Sequence, residues 1–268
     1  MRRNVLKALA TMTFAATMLS APAAYAVPVD LELVLLTDVS GSVDSGDFAL
    51  MRDGYAAAFQ SASVQNRILG GTLGRIAVSL VYFSDGAAQS IGWSLIDSAG
   101  AADAFATTIQ STARPFSGGT GIANGLTFST GLFAANGFEG SRRVIDVVGD
   151  GSESLACGFS TASCVPVQNA RDAALASGVT SINALWIDDR DFFGDDPGDI
   201  INALAYGTTN VIAGPGAFQG IVQDFAGFQS AIANKLEREV SGNVPEPAMT
   251  SLLALALVGL GRARRRRS

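Results

Sequence analysis

The stretch Leu31-Glu32-Leu33-Val34-Leu35-Leu36-Thr37, followed by the turn Asp38-Val39-Ser40-Gly41-Ser42, decides the fold of this 268-residue chain. Its first seven residues form a short apolar run that ends in a polar turn, which is typical of a buried strand. Strands of this kind occur in parallel sheets whose two faces are both covered by helices. The stretch therefore predicts the first core strand of an α/β domain.

The rest of the chain alternates apolar runs with amphipathic segments. Further strands are predicted over residues 75–83, 143–148, 180–187 and 210–213, and residues 89–96 predict an edge strand antiparallel to strand 75–83. Helices are predicted over residues 44–60, 101–111, 121–135, 167–177, 198–206 and 218–239. This alternation predicts a doubly wound α/β fold with a mostly parallel central sheet, one antiparallel edge strand and helices on both faces.

The turn over residues 38–42 carries side chains suited to a hard divalent cation. Its alternation places Asp38, Ser40 and Ser42 on one side, and Gly41 lets the backbone bend closely. Mg²⁺, Ca²⁺ and Mn²⁺ prefer oxygen ligands of this kind. The alternative is a helix-capping turn that binds nothing, because Ser and Asp are common at helix starts for capping alone.

Two other segments are expected near this turn. Thr120 lies on the Gly-rich segment Phe116-Ser117-Gly118-Gly119-Thr120-Gly121, and Asp150 follows a predicted strand in Val147-Val148-Gly149-Asp150-Gly151. In open α/β sheets the ligand site lies beyond the carboxyl ends of the strands. The sequence therefore predicts one site built from three loops.

The three segments resemble the metal-ion-dependent adhesion site of von Willebrand factor type A domains, and the resemblance extends over about residues 29–240. Within that superfamily the chain is similar to a poorly characterised bacterial group with an Asp-Gly pair after the central strand. The resemblance implies a divalent metal ion, with Mg²⁺ the first candidate and Ca²⁺ or Mn²⁺ as alternatives. It implies that the ion is held by Asp38, Ser40, Ser42, Thr120 and Asp150, the Ser and Thr directly and the Asp often through water.

Both ends of the chain carry export features. Residues 1–26 combine Arg2, Arg3 and Lys7 with an uncharged run that closes on Ala24-Tyr25-Ala26, which predicts a signal peptide; a retained membrane anchor is the alternative. Residues 244–268 hold Pro-Glu-Pro, an apolar segment and an Arg cluster. This tail resembles the PEP-CTERM sorting signal of Gram-negative bacteria that make exopolysaccharide, which implies a transient membrane tether; a simple C-terminal anchor is the alternative.

The predicted domain, residues 27–243, is strongly acidic. The chain has 24 acidic and 18 basic residues, and the two end segments hold eight of the basic ones and one acid, Glu246, which leaves the domain with a net charge of −13. Such a charge disfavours nucleic acid and anionic lipid as partners. The chain has no histidine, which excludes Ser-His-Asp and Cys-His catalysis and His-ligated zinc.

Three further features leave alternatives open. Cys157 and Cys164 lie in one Gly/Ser/Thr-rich loop and either pair or remain thiols. Ser152 and Glu153 are expected to be ordinary loop residues, with support of the metal ligands as the alternative. The acidic stretch from Asp188 to Asp199 is expected to be solvated surface, with a second cation site as the alternative.

These observations predict an exported, non-enzymatic binding module located at the periplasm, the outer surface or the extracellular matrix. Its ion would coordinate a carboxylate of a protein or polysaccharide partner. A structural matrix protein with a stabilising ion is one alternative. A carboxylate-based glycoside hydrolase is the other, although no pair of carboxylates stands out by its spacing.

Overall fold

The computed structural model describes residues 26–158, 161–188, 193–194 and 201–241. The predicted signal peptide, up to residue 25, and the predicted sorting tail lie outside the described residues. The domain boundaries at both ends therefore stay predictions. No helix in the described part of the chain is long and apolar enough to cross a bilayer.

The described residues form ten strands and seven α-helices. The strands are β1 (Val27–Val29), β2 (Leu31–Asp38), β3 (Ile76–Phe83), β4 (Ala87–Ile96), β5 (Phe138–Gly140), β6 (Arg143–Gly149), β7 (Ser181–Ile187), β8 (Phe193–Gly194), β9 (Ile201–Asn202) and β10 (Gln219–Val222). The helices are α1 (Ser45–Gln60), α2 (Ala62–Leu69), α3 (Ala99–Gln110), α4 (Ile122–Gly131), α5 (Val165–Ala176), α6 (Ala203–Asn210) and α7 (Phe228–Ser241).

The central sheet has the strand order β10-β7-β6-β2-β3-β4. Four neighbouring pairs are parallel, and only β3 and β4 run antiparallel, with β4 at the edge. Two small parallel pairs, β1 with β5 and β8 with β9, lie outside this sheet. The predicted doubly wound fold with one antiparallel edge strand is confirmed.

The strand β2 is buried along its whole length because helices cover both faces of the sheet. Leu33 and Leu35 belong to the core that α1, α2, α3 and α7 cover, whereas Val34 and Leu36 belong to the core beneath α4, α5 and α6. Successive strand side chains point to opposite faces. Apolar residues on both faces are therefore what this position favours.

The carboxyl-terminal third differs from the prediction. Residues 210–213 were predicted as the last strand, but they hold the end of α6 and a single antiparallel bridge between Ala213 and Ile182. The last strand is β10, at Gln219–Val222, and α7 begins only at Phe228. The physical reason is that the Asn210 side chain is buried and bonds backbone groups around the end of α6. Its Nδ2 donates to the carbonyls of Ala162 and Tyr206, and its Oδ1 accepts the Cys164 N–H.

A buried charge cluster joins α7 to the centre of the sheet. Lys235 on α7 forms ion pairs with Asp146 on β6 and with Glu239 one helical turn further on. Asn183 on β7 donates to Glu239 at 3.1 Å. All four side chains are buried, so one ammonium group faces two carboxyl groups away from water.

Candidate metal centre

The turn Asp38–Ser42, called the metal turn below, follows β2 at the carboxyl end of the sheet. The Ser40 N–H donates to Asp38 Oδ1 at 2.7 Å, a local bond that favours a tight turn. The Gly41 N–H donates to the Gly118 carbonyl at 2.7 Å, and a Cβ at Gly41 would lie 3.3 Å from that oxygen. Glycine at this position therefore lets the metal turn approach the Thr120 segment closely.

The structure brings together the five side chains predicted as ligands. Thr120 Oγ1 donates to Ser40 Oγ at 3.2 Å, and Ser40 Oγ lies 3.2 Å from Ser42 Oγ. Ser42 Oγ donates to Asp150 Oδ1 at 2.9 Å. The hydrogen bonds run from the Thr120 segment through the metal turn to the end of β6. The bond between Ser42 and Asp150 forms because β2 and β6, which these residues follow, are neighbours in the sheet.

Asp38 is the most deeply buried acid of the group. Its side chain is 0% exposed, and Oδ2 has no hydrogen-bond partner among the described residues. Burial raises the pKa of the Asp38 carboxyl well above its ordinary value, and the nearby Asp150 carboxylate raises this pKa further. A bound cation would favour the ionised forms of both carboxyls and so offset these penalties.

The residues after Asp150 hold the Thr120 segment in place. The Ser154 N–H donates to the Thr120 carbonyl at 2.9 Å, and the Thr120 N–H donates to Ser154 Oγ at 2.8 Å. Glu153 accepts the Ala123 N–H at the start of α4, and also the N–H groups of Leu155 and Ala156.

Glu153 is therefore not the ordinary loop residue that the sequence suggested. It is buried, with 1% exposure, because its carboxylate accepts three backbone donors. Ser152 is also buried, and its hydroxyl oxygen has no hydrogen-bond partner among the described residues. Both residues are therefore buried in the loop after Asp150 rather than exposed on it.

The same loop is closed by a disulfide. Cys157 and Cys164 are bonded, with their Cα atoms 5.7 Å apart. Next to it, the Cys164 N–H donates to Asn210 Oδ1 at 2.7 Å. The disulfide, which the sequence left open, thus fixes the loop after Asp150 beside α5 and α6.

Sequence reasoning missed two charged residues that bind the backbone of the site. Arg114 donates to the Val39 carbonyl from Nη2 at 2.9 Å and from Nε at 3.2 Å, and to the Ser40 carbonyl from Nη2 at 2.6 Å. Asp85, after β3, accepts the Gly119 N–H at 2.6 Å. Their only sequence signal is a charge in a loop near the predicted ligands, which is too common to be specific.

Asp188 follows β7 at the same edge of the sheet and is buried at 8% exposure, and its N–H donates to the Val222 carbonyl. It is thus an interior residue rather than solvated surface. Most of the remaining acidic stretch, residues 189–192 and 195–199, lies outside the described residues.

The donor set fits a hard divalent ion. The five side chains offer oxygen atoms only, and one carboxylate oxygen, Asp38 Oδ2, is buried without a hydrogen bond to a described residue. Within the described ranges, no group of three or more His, Cys, Asp or Glu residues forms a carboxylate- or thiolate-rich site. The hydroxyl groups of Ser40, Ser42 and Thr120 would therefore supply much of the coordination.

Comparison with protein families gives a match over residues 28–244, most of the chain, to a model described as a protein of unknown function, DUF1194. The chain belongs to the DUF1194 family. A search of curated proteins finds no match.

Solved structures with similar folds include a matrix protein, a pilus adhesin and a von Willebrand factor type A protein. Proximal thread matrix protein 1 of the mussel byssus, in a form with a zinc-occupied MIDAS motif, has a TM-score of 0.54 at 16% identity, over 81% of this DUF1194 chain and 49% of that one. The pilus adhesin SpaC of Lactobacillus rhamnosus GG has a TM-score of 0.54 at 17% identity, over 81% of this chain and 31% of that one. A von Willebrand factor type A protein of Catenulispora acidiphila has a TM-score of 0.50 at 17% identity, over 80% and 43%.

These likenesses establish the fold of the chain. The DUF1194 chain spans about half or less of each of these structures. What the longer proteins do as a whole therefore enters only as a proposal.

Proposed function

We propose that this DUF1194 protein is an exported, metal-dependent binding module. A divalent ion would bind at Asp38, Ser40, Ser42, Thr120 and Asp150 and accept a carboxylate of an extracellular protein or polysaccharide. The observation that carries the proposal is the buried Asp38 Oδ2, which has no hydrogen bond to a described residue in a group of five oxygen-bearing side chains.

The chemistry of the site supports an acidic partner. Three of the five side chains are neutral hydroxyls, so the ion would keep more positive charge than in a site built from carboxylates alone. A carboxylate from outside would then be a favourable further ligand. Oxygen donors suit Mg²⁺, Ca²⁺ and Mn²⁺ alike; we propose Mg²⁺ as the first candidate, with Ca²⁺ or Mn²⁺ as alternatives.

The comparisons support the same proposal by analogy. One neighbour holds zinc in its MIDAS motif and another is a pilus adhesin. The proposed compartment rests on the export features of the two end segments in the sequence. A transient membrane tether through residues 244–268 is part of the proposal.

The ion is tested by isothermal titration of the purified protein with Mg²⁺, Ca²⁺ and Mn²⁺. We expect binding at millimolar ion or below, and we expect Asp38→Ala to abolish it. Asp97→Ala, which removes an exposed acid after β4, is the matched control. The absence of binding by all three ions, or unchanged binding by Asp38→Ala, would rule out the metal centre.

The partner class is tested on immobilised polysaccharides. We expect retention on a polyuronate, loss of retention in chelator, and no retention on a neutral glucan. Retention that survives the chelator would rule out coordination of the partner through the ion.

A second candidate is a structural matrix protein whose ion only stabilises the loops, favoured by the likeness to a byssal matrix protein. In that case the ion raises the melting temperature but creates no affinity for polyuronate or for envelope components. We propose no enzymatic activity, because the acids best placed at the carboxyl end of the sheet, Asp38 and Asp150, are the presumed ligands.

A further inference from the structure

Arg114 holds the metal turn from outside the ligand set. Its half-buried guanidinium donates three hydrogen bonds to two successive carbonyls, Val39 and Ser40, at 2.6–3.2 Å. The Ser40 carbonyl also accepts the Val43 N–H at 3.1 Å. The two peptide units on either side of Ser40 are thus fixed by one side chain from a distant part of the sequence.

A fixed positive charge here needs an explanation. A guanidinium beside a cation site repels the ion by Coulomb's law and lowers its affinity. A neutral donor would satisfy the same carbonyls without that repulsion. The charge partly offsets the rise that burial and Asp150 cause in the pKa of Asp38. The planar guanidinium fork is also well suited to hold two carbonyls in a fixed relative orientation.

We propose that Arg114 is a positioning residue of the metal centre, which keeps the metal turn in its binding shape before the ion arrives. The proposal rests on the proposed function of the turn as a metal site. Fixing the Val39 and Ser40 carbonyls fixes the peptide planes on either side of Ser40. The Ser40 hydroxyl and the N–H that orients Asp38 Oδ1 then stay in place.

The size of the expected effect follows from other metal sites. Partners that orient metal ligands without touching the metal change affinity by about 10- to 100-fold when they are removed. Arg114→Ala should therefore raise the ion Kd by about that factor.

The test compares Mg²⁺ titrations of the wild-type protein, Arg114→Ala, Arg114→Gln and Arg67→Ala. Both Arg114 variants are neutral, but glutamine keeps an N–H donor for the carbonyls. We expect a higher Kd for Arg114→Ala and an intermediate Kd for Arg114→Gln. Arg67→Ala removes an exposed arginine from α2 and should leave the Kd unchanged. Equal or tighter binding by both Arg114 variants overturns the positioning role while the metal centre stands.

A second measurement needs no ion. In chelator, we expect the amides of Ser40 and Gly41 to exchange hydrogen faster in Arg114→Gln than in the wild type, with Arg67→Ala unchanged. Unchanged exchange overturns the proposal. If the wild-type protein binds no ion in the titration, the proposed function fails. If the wild type binds the ion and both Arg114 variants bind it equally well, only the positioning role fails.

Discussion

Replacing Asp38 with asparagine should reverse the order of stability of the two proteins when the ion is added. The substitution keeps an oxygen acceptor for the Ser40 N–H, which lies 2.7 Å from Oδ1. It removes the negative charge from a side chain that is 0% exposed and close to Asp150. In chelator, loss of the buried charge should leave the variant at least as stable as the wild type. With the ion, loss of a ligand should make the variant less stable than the wild type.

In chelator, the variant should be as stable as the wild type or more stable. The raised pKa of Asp38 means that its ionised form is disfavoured in the folded state. When the pKa of a carboxyl is higher in the folded state than in the unfolded state, the free energy of unfolding falls as the pH rises from the unfolded pKa to the folded pKa. Above the folded pKa, this loss of stability stays constant. The asparagine side chain of the variant carries no such penalty at neutral pH, so this comparison isolates the cost of the buried charge.

With the ion at about 100 times its Kd, the wild type should gain about 2.7 kcal/mol of stability through binding to the folded state only. For a domain of about 200 residues, this gain corresponds to a rise in melting temperature of about 5–11 °C. The variant lacks one carboxylate ligand and should gain much less at the same ion concentration. The wild type should then melt at the higher temperature.

Thermal unfolding followed by circular dichroism, in chelator and across a Mg²⁺ titration, measures both states. Asp97→Asn is the matched control, because it makes the same chemical change at an exposed position. An ion-dependent rise of equal size in the wild type and in Asp38→Asn would refute this account of the site. A variant much less stable than the wild type in chelator would refute the argument about the buried charge.

Three further predictions concern the rest of the fold. Burial raises the pKa of Asp146 to about 7. The free energy of unfolding, measured by urea titration, should therefore fall by up to about 4 kcal/mol between about pH 4 and pH 7. Asp146→Asn should make this pH dependence weaker. Lys235→Met leaves Asp146 and Glu239 buried without their ammonium partner, which should cost about 3–5 kcal/mol at pH 8. The cost should be smaller at pH 5, below the pKa of about 7 of the Asp146 carboxyl; an equal loss at both pH values would contradict this. Replacing Cys157 and Cys164 with serine should cost about 2.5 kcal/mol, the entropy of so short a loop, as measured by urea unfolding under non-reducing conditions, with no change on adding reductant to the variant.

The sheet could be predicted where burial alone decides the residue types. Both β2 and β3 are buried at every position, so most of their residues are apolar, which makes these strands easy to recognise in the sequence. The edge strand β10 is different, because all four of its residues are half-buried. Its Gln219 is accommodated by bonds with Trp186 Nε1 and with the Leu204 carbonyl on α6. These partners are distant in sequence, and so the strand was predicted too early, over residues 210–213.

The candidate site shows the same division between what a pattern can and cannot reveal. The proposed ligand positions could be predicted because a metal would select side-chain oxygens, and the alternation in the metal turn places such side chains on one side. Positioning residues act on backbone groups instead. Arg114 binds carbonyls that any residue at positions 39 and 40 would carry, and Glu153 binds N–H groups at the start of α4 and in its own loop. The backbone groups that these two residues bind have no side-chain signature in the sequence. Only the folded arrangement of β2, β6 and the Thr120 segment therefore identifies Arg114 and Glu153 as positioning residues.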